Sequence, residues 1–319
     1  VVEGSTWCAY VTGPIRVFAP ARIDLSAGFT DVEPFSDEIP ARIVNVALDL
    51  GVEVAVRDEP SAAPSASFAG GLRDAIARRL AIEPPVVELA ASPLPPGSGL
   101  GASGALTVAL AYALSLRAGS SVEAAELVEL ACAAERDVGL TGGTQDQLAS
   151  VHGGAGVVRR HRDTGRRDSI MTDLEALGAR LVLVHGSGRR NSGAIIEQVL
   201  ELCSRATVLR TIRAMNEVGE SLAHHLRVGD HDGLAALVNE STALLCELHP
   251  AIVDDGMNRR LRAFGASAAK PCGAGGAGAA WLTLVDPPRR TEFAAAVTKA
   301  GLTVLPTAPR AEGAQVRPR

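Results

Sequence analysis

Two glycine clusters constrain this chain most. Gly97-Ser98-Gly99-Leu100-Gly101-Ala102 and Gly273-Ala274-Gly275-Gly276-Ala277-Gly278 are stretches where the backbone can turn tightly and approach another group, because side chains are missing. Thirty-three of the 319 residues are glycine, above the usual share of about 7%. As bare patterns both clusters fit the dinucleotide fingerprint G-x-G-x-x-G/A, but neither has its context. That fold needs a strand running directly into the first glycine, a helix out of the last, and an acidic residue about 20 positions on. Pro93-Leu94-Pro95-Pro96 interrupts the approach to the first cluster, and Ala279-Ala280-Trp281-Leu282 reads as a strand after the second. No Lys-Ser or Lys-Thr follows either, which removes the G-x-x-x-x-G-K-[ST] loop too. The first cluster still makes sense as a phosphate cradle. Glycine amides and the positive end of a helix starting near Gly101 would hold an anion, with Ser103 at the mouth to bind phosphate or reach a magnesium ion.

The rest of the composition narrows the class of protein. At roughly 150 residues per domain the length suggests about two domains. Hydrophobic residues make up 47% and charged residues 21%, as in ordinary globular chains. Only 3% are aromatic, which disfavours base stacking on an aromatic platform. A formal charge of −5 attracts neither nucleic acid nor an anionic membrane. Cys8, Cys132, Cys203, Cys246 and Cys272 are odd in number and contain no C-x-x-C, arguing against a disulfide framework or a zinc site and for reduced cytoplasm. No targeting segment or membrane-length apolar run is read.

Period-two β-branched patterns predict strands over 15–19, 42–50 and 52–56, and a Pro/Ser/Ala-rich loop over 59–67. A helix over 72–80 and a strand over 86–90 precede the first glycine cluster, and helices run from it to Leu116 and from about Ser121 to Asp137. A hairpin is predicted around Asp163-Thr164-Gly165, flanked by Arg159, Arg160, Arg162, Arg166 and Arg167, which read as solvated or edge-protecting charges rather than phosphate contacts. Residues 194–263 are largely helical, Pro250 standing where a helix could start. A strand at 280–285, a helix at 289–299 and a strand at 302–305 finish the chain. A division near residue 175 separates domains 1–175 and 176–319.

Pro93 to Ala105, PLPPGSGLGASGA, resembles the phosphate-binding motif of the GHMP kinases (galactokinase, homoserine, mevalonate and phosphomevalonate kinases). Ala19 to Asp31, APARIDLSAGFTD, is similar to their N-terminal substrate motif, and Lys270 to Leu282, KPCGAGGAGAAWL, to their C-terminal glycine motif. TDVEPFS at 30–36 and GGTQDQLAS at 142–150 look most like the heptose-phosphate 1-kinase and fucokinase-like branch. The resemblance implies an α+β fold of two domains with the active site in the cleft between them, ATP as phosphoryl donor and Mg2+ as the cation.

Its roles carry over residue by residue. Pro96, Gly97, Ser98, Gly99, Leu100, Gly101, Ala102 and Ser103 would bind nucleotide; Ala102 replaces the first of the family's paired serines, so one phosphate contact is lost or passes to backbone. Ser103 and Glu135 would hold Mg2+. Asp146 matches the catalytic aspartate, the general base or orienting group for the acceptor hydroxyl. Arg22 matches the basic residue expected to pair with Asp146 and stabilise the transferring phosphoryl group. Asp31 would bind sugar hydroxyls, with Asp24 as a second, more structural acceptor. Thr30, Gln145 and Gly275 complete the substrate set, and Phe29 either stacks on a sugar face or packs. Arg189 and Arg190 either bind a terminal phosphate or face solvent. Thr144 stands where heptose-phosphate kinases usually carry lysine, which weakens transfer of that substrate. Cys272 reads as packed rather than nucleophilic, having no histidine neighbour in sequence.

The expected protein is thus an ATP-dependent kinase of the anomeric hydroxyl of a sugar, a phosphorylated heptose or longer sugar on the way to a nucleotide sugar. The alternatives are a fucokinase- or galactokinase-like kinase of an unphosphorylated sugar and a non-catalytic sensor on the same fold. Its partners are small molecules, not nucleic acid or membrane, with a homodimer as the candidate assembly.

Overall fold

The structure is a computed structural model that describes residues 14–318 except 27, 29, 61–66, 91–93, 141, 163, 187–194, 196, 200 and 202–204. Phe29, Arg189 and Arg190 therefore lie outside the described residues.

The chain builds two antiparallel sheets. The first runs β10-β1-β2-β4-β5, with β3 also on β2; its strands are β1 (Ile15–Asp24), β2 (Ala41–Pro60), β3 (Pro85–Leu89), β4 (Ala155–His161), β5 (Thr164–Ile170) and β10 (Gln315–Val316). The second runs β7-β8-β6-β9, from β6 (Leu181–His185), β7 (Ala268–Pro271), β8 (Ala280–Leu284) and β9 (Thr303–Leu305). The chain's end thus returns to the first sheet, β10 lying on β1.

Helices α2 (Phe68–Arg79), α3 (Ala102–Arg117), α4 (Ala124–Asp137) and α5 (Gln145–His152) gather on the first sheet, and α7 (Arg205–Val228) packs against β2 and β4. In the second half, α8 (His231–Leu248) and α9 (Asp255–Ala263) contact β7, and α10 (Arg290–Lys299) contacts β9. The short helices α1 (Phe35–Glu38) and α6 (Leu174–Arg180) complete the described set. One apolar core joins Val44, Leu110 and Leu114 to Leu183, Leu282 and Leu284, so both sheets share an interior. A second core takes Phe35 and Ile39 from the first half into contact with the α7–α8 region and β8. No helix among the described residues is long and apolar enough to cross a membrane.

Several expectations change here. Residues 59 and 60, read as loop, continue β2, which pairs with β3 as far as Pro60 and Pro85; sheet pairing overrides local composition. Pro250 does not open a helix. Asp254 does, accepting a hydrogen bond from Met257 N at 3.0 Å at the start of α9, because a side-chain acceptor satisfies a free amide that proline cannot. The hairpin forms as expected, β4 on β5, but Arg160 and Arg167 are not solvated. Arg160 is 5% exposed, and Arg167 donates to Asn45 Oδ1 and to the carbonyls of Gly153 and Gly154. Burial lowers Arg167 to about 10.

Candidate active site

Local backbone irregularities position the central residues. The β1–β2 pairing slips between Pro20 and Arg22: Pro20 faces Gly51, but Arg22 faces Ala47. Pro20 has no amide to donate to the ladder, and an irregularity of this kind re-aims the next side chain. The Arg22 amide accordingly turns to the glycine loop at 97–101, donating to Leu100 O at 2.9 Å. The loop takes its shape from alternating left-handed glycines, with φ of 73° at Gly97, 79° at Gly99 and 77° at Gly101, the residue that caps α3. Side chains rarely adopt that conformation.

Arg22 is 5% exposed. Its Nε donates to Asp146 Oδ1 at 2.8 Å, Nη2 lies 2.7 Å from the same oxygen, and Nη1 donates to Gly99 O at 2.5 Å. Burial opposes its charge, but the carboxylates of Asp146 and Asp24 outweigh that and raise its pKa. Asp146 sits in the first turn of α5, which crosses α3 so closely that a Cβ on Gly104 would lie 2.4 Å from Asp146 Cβ. The general-base candidate is therefore set against the phosphate loop by a residue whose only side chain is hydrogen.

Beside it, Glu135 of α4 accepts hydrogen bonds from Ser103 Oγ at 3.3 Å, Thr107 Oγ1 at 2.9 Å and Gln147 Nε2 at 2.6 Å. Burial and the nearby Asp146 carboxylate push it up to about 7 against those bonds. A carboxylate that is costly to ionise beside a hydroxyl is a fitting place for a hard divalent cation, which takes oxygen ligands and would offset the charge. Among the described residues no group of three or more His, Cys, Asp or Glu is arranged to hold a metal, so a cation here would complete its shell with non-protein oxygens.

On the other side of Arg22, Asp31 is 1% exposed. Its Oδ2 accepts from Gln145 N at 3.1 Å, while Oδ1 has no partner. Burial first and the Asp146 carboxylate second push it up to about 6, against the Gln145 amide, Arg160 and Arg22. The loop before α5 reaches Asp31 only because residue 143 is glycine: a Cβ there would stand 1.7 Å from Asp31 Oδ2. All these groups open on one cleft of about 660 Å³, lined by Arg22, Asp31, residues 97–104, Glu135, Gln145, Asp146 and Gln147, and closed from the second half by Glu197, Gly273 and Ala274. Four buried atoms of lining residues, Asp31 Oδ1, Ser98 Oγ, Gln145 Oε1 and Gln147 Oε1, have no protein partner. Unsatisfied buried polar groups are rare in native interiors, and these four lie around the cleft.

The sequence-derived set thus converges for Arg22, Asp31, Gln145, Asp146, Glu135, Ser103 and residues 97–102, but not everywhere. Asp24 is wholly buried and its carboxylate holds Lys270 Nζ at 2.7 Å and Gly273 N at 3.1 Å, the more structural side of its expected role. Gly275 lies against Ile252, where a Cβ would meet Ile252 O at 2.2 Å; Gly273 and Ala274 face the cleft instead. Thr144 Oγ1 borders Gly165 of β5 rather than the cleft. Thr30 is fully buried with Oγ1 unpartnered, and Pro96 is exposed outside the lining. Cys272 is buried and its thiol is pushed up to about 12, first by burial and then by Asp24, which agrees with a packing role.

Sequence reading missed Gln147, Thr107, Lys270 and Arg160. Arg160 donates to Asp31 O at 2.8 Å and Gly142 O at 3.2 Å and pairs with Glu33 at 2.5 Å, tying the segment after β1 to the loop before α5. The one available signal for Gln147 was its place in GGTQDQLAS, next to Asp146.

Residues 68–154 match the GHMP kinases N terminal domain. Mevalonate kinase of Aeropyrum pernix is 27% identical over 210 residues, 65% of this chain and 63% of that protein, so the match spans less than two thirds of the relative's length. The fold covers 96% of this chain and 99% of a D-glycero-D-manno-heptose 1-phosphate kinase from Bacteriodes thetaiotaomicron, with TM-score 0.73 and 21% identity. Phosphomevalonate kinase of Streptococcus pneumoniae superposes with TM-score 0.75 at 16% identity, over 93% of this chain and 99% of that one. Residues 68–154 are thus similar to the N-terminal domain of the GHMP kinases, and the chain has the fold of the solved GHMP kinases.

Proposed function

We propose that this protein is an ATP-dependent phosphotransferase acting on the anomeric hydroxyl of a sugar, with a phosphorylated heptose or longer sugar as the substrate class. GHMP kinases use ATP as phosphoryl donor, and the glycine turn at 97–101 leading into α3 offers the amides and dipole that a polyphosphate requires. Ser103 and Glu135 would hold Mg2+, which when bound neutralises phosphate charge. Arg22 stabilises the moving phosphoryl group, and Asp146, aligned by Arg22, accepts the proton of the attacking hydroxyl. With the division taken at 175/176, Glu197, Gly273 and Ala274 would form the second domain's wall of the cleft.

The observation that carries the sugar assignment is the pair of unpartnered buried acceptors, Asp31 Oδ1 and Gln145 Oε1, in the same wall as Asp146. Vacant acceptors call for a ligand rich in hydroxyl donors. A panel of sugars and sugar 7- and 6-phosphates, with mevalonate and homoserine beside them, assayed for ADP release is the test. Turnover confined to mevalonate or homoserine would remove the sugar assignment. Asp146→Asn is expected to abolish transfer while nucleotide binding by calorimetry persists; an active variant would remove the general base. Replacing Arg189 and Arg190 together should raise the Michaelis constant of a sugar phosphate and leave that of an unphosphorylated sugar unchanged if the substrate's phosphate docks there.

A further inference from the structure

Beneath the cleft lies a buried ion pair that the proposed reaction does not use. Lys270, at 0% exposure, heads the fully buried side chains by volume, and lysine is almost never fully buried unless paired. It stands on β7 of the second sheet and reaches β1 of the first, where Nζ donates to Asp24 Oδ2 at 2.7 Å, Asp24 O at 3.1 Å and Pro271 O at 3.2 Å. Asp24 Oδ1 takes the Gly273 amide at 3.1 Å and lies 3.7 Å from Arg22 Nη1.

Arg22 therefore has two carboxylates within reach and bonds the less favourable one. Asp24 is wholly buried, whereas the Asp146 side chain is 26% exposed. Attraction to a buried charge is screened less than attraction to a partly hydrated one, and a buried carboxylate without a partner is strongly destabilising. Left to these two forces, the guanidinium would turn toward Asp24. It stays on Asp146, at 2.7 Å against 3.7 Å, because the charge of Asp24 is already met by Lys270.

We propose that Lys270 is a positioning residue: by neutralising Asp24 it releases Arg22 to hold Asp146 and face the phosphate loop. The inference rests on the kinase reading for its consequence in catalysis, but its structural content stands without it. The two cations Arg22 and Lys270 and the two anions Asp24 and Asp146 form a balanced set in which the third glycine motif supplies one charge. The arrangement of the reacting pair in the first half of the chain thus depends on the docking of the second half.

The test is a comparison of Lys270→Met with Asp24→Asn/Lys270→Met. Lys270→Met keeps the side chain's bulk and removes its charge, and the added Asp24→Asn removes the rival anion. Crystal structures without substrate should show Arg22 moved to Asp24 in the single variant and returned to Asp146 in the double. Arg22 still on Asp146 in the single variant overturns the proposal, as does a double variant in which the Arg22–Asp146 contact is not restored. In turnover, the single variant should lose about 100-fold in kcat, the scale of removing one preorganised charge contact, with the Michaelis constant for ATP changed less than about 3-fold. The double should recover most of that loss; a double no faster than the single assigns Lys270 to holding the third motif and overturns its positioning role. If Lys270→Met does not fold, the double alone decides: it should fold with Arg22 on Asp146, and failure to do so overturns the proposal. A wild-type protein inactive on every acceptor would remove the kinase reading, while the position of Arg22 in the two variants would still be readable.

Discussion

Replacing Asp31 with asparagine should stabilise the free protein in alkaline buffer while crippling its substrate site. The carboxylate is 1% exposed and is raised from 3.8 to about 6, mainly by burial and then by Asp146. An acid whose folded-state pKa is raised binds its proton more tightly in the folded than in the unfolded chain. Stability is then highest below the unfolded value and falls as pH climbs through the interval up to the folded value. Taken over that interval the ionised group costs about 3 kcal/mol above pH 7 and about 1 kcal/mol at pH 4.5. Asparagine removes that cost. Its amide oxygen can keep the bond from Gln145 N, and its NH2 replaces one unpartnered atom, Oδ1, with another. At roughly 2.1 cal/mol/K per residue, 3 kcal/mol corresponds to an increase in Tm of about 4 °C. Calorimetric scans of wild type and Asp31→Asn at pH 8, 6 and 4.5, in buffer free of nucleotide and acceptor, would read the difference. The reasoning predicts a gain that shrinks steadily toward acid. A variant less stable than wild type at pH 8, or a difference independent of pH, would refute the claim that this carboxylate is held in the fold at a cost. The same variant should raise the acceptor's Michaelis constant at least 10-fold, since a site built to receive a substrate hydroxyl loses its charged acceptor.

Gly143→Ala should damage acceptor use selectively. Its Cβ would fall 1.7 Å from Asp31 Oδ2, so the loop or Asp31 must shift, and displacements near 1 Å cost about 100-fold in rate; ATP affinity by calorimetry should change little. Ser103→Ala and Glu135→Gln should each weaken Mg2+ dependence, moving the half-saturating Mg2+ concentration for turnover upward by about 10-fold or more. Cys272 should resist iodoacetamide in the folded protein at pH 8, as its thiol is buried and pushed up to about 12; labelling in mass spectra before unfolding would contradict that burial.

Much of this molecule was legible along the chain. The glycine turn opening α3, the first half of β1, the β4–β5 hairpin and, within a few residues, the helices α3 and α4 follow local rules of periodicity, capping and turn chemistry. Arg22 and Asp146 became candidates because each sits in a short motif whose neighbours carry information, and Glu135 because the family resemblance implies a carboxylate partner for Ser103. Asp24 was read as a second, more structural acceptor, and the structure gives it buried protein partners. Nothing within 20 residues of it announces Lys270, which arrives from β7 in the other sheet.

The sequence by itself determined where the backbone turns and which side chains are candidates for phosphoryl chemistry, because those properties belong to single residues and their immediate neighbours. The tertiary structure decided which charges meet. Arg160 looked like a hairpin surface charge until the fold placed it under Asp31 O. Asp31 was a sugar-hydroxyl candidate along the chain, but only burial beside Asp146 raises its pKa. Gly104 and Gly143 are needed only because α3 and α5, and the loop before α5 and Asp31, close to contact distance. Burial, ion pairing and close approach are properties of pairs brought together from distant positions in the chain, and no local pattern encodes which pairs those will be.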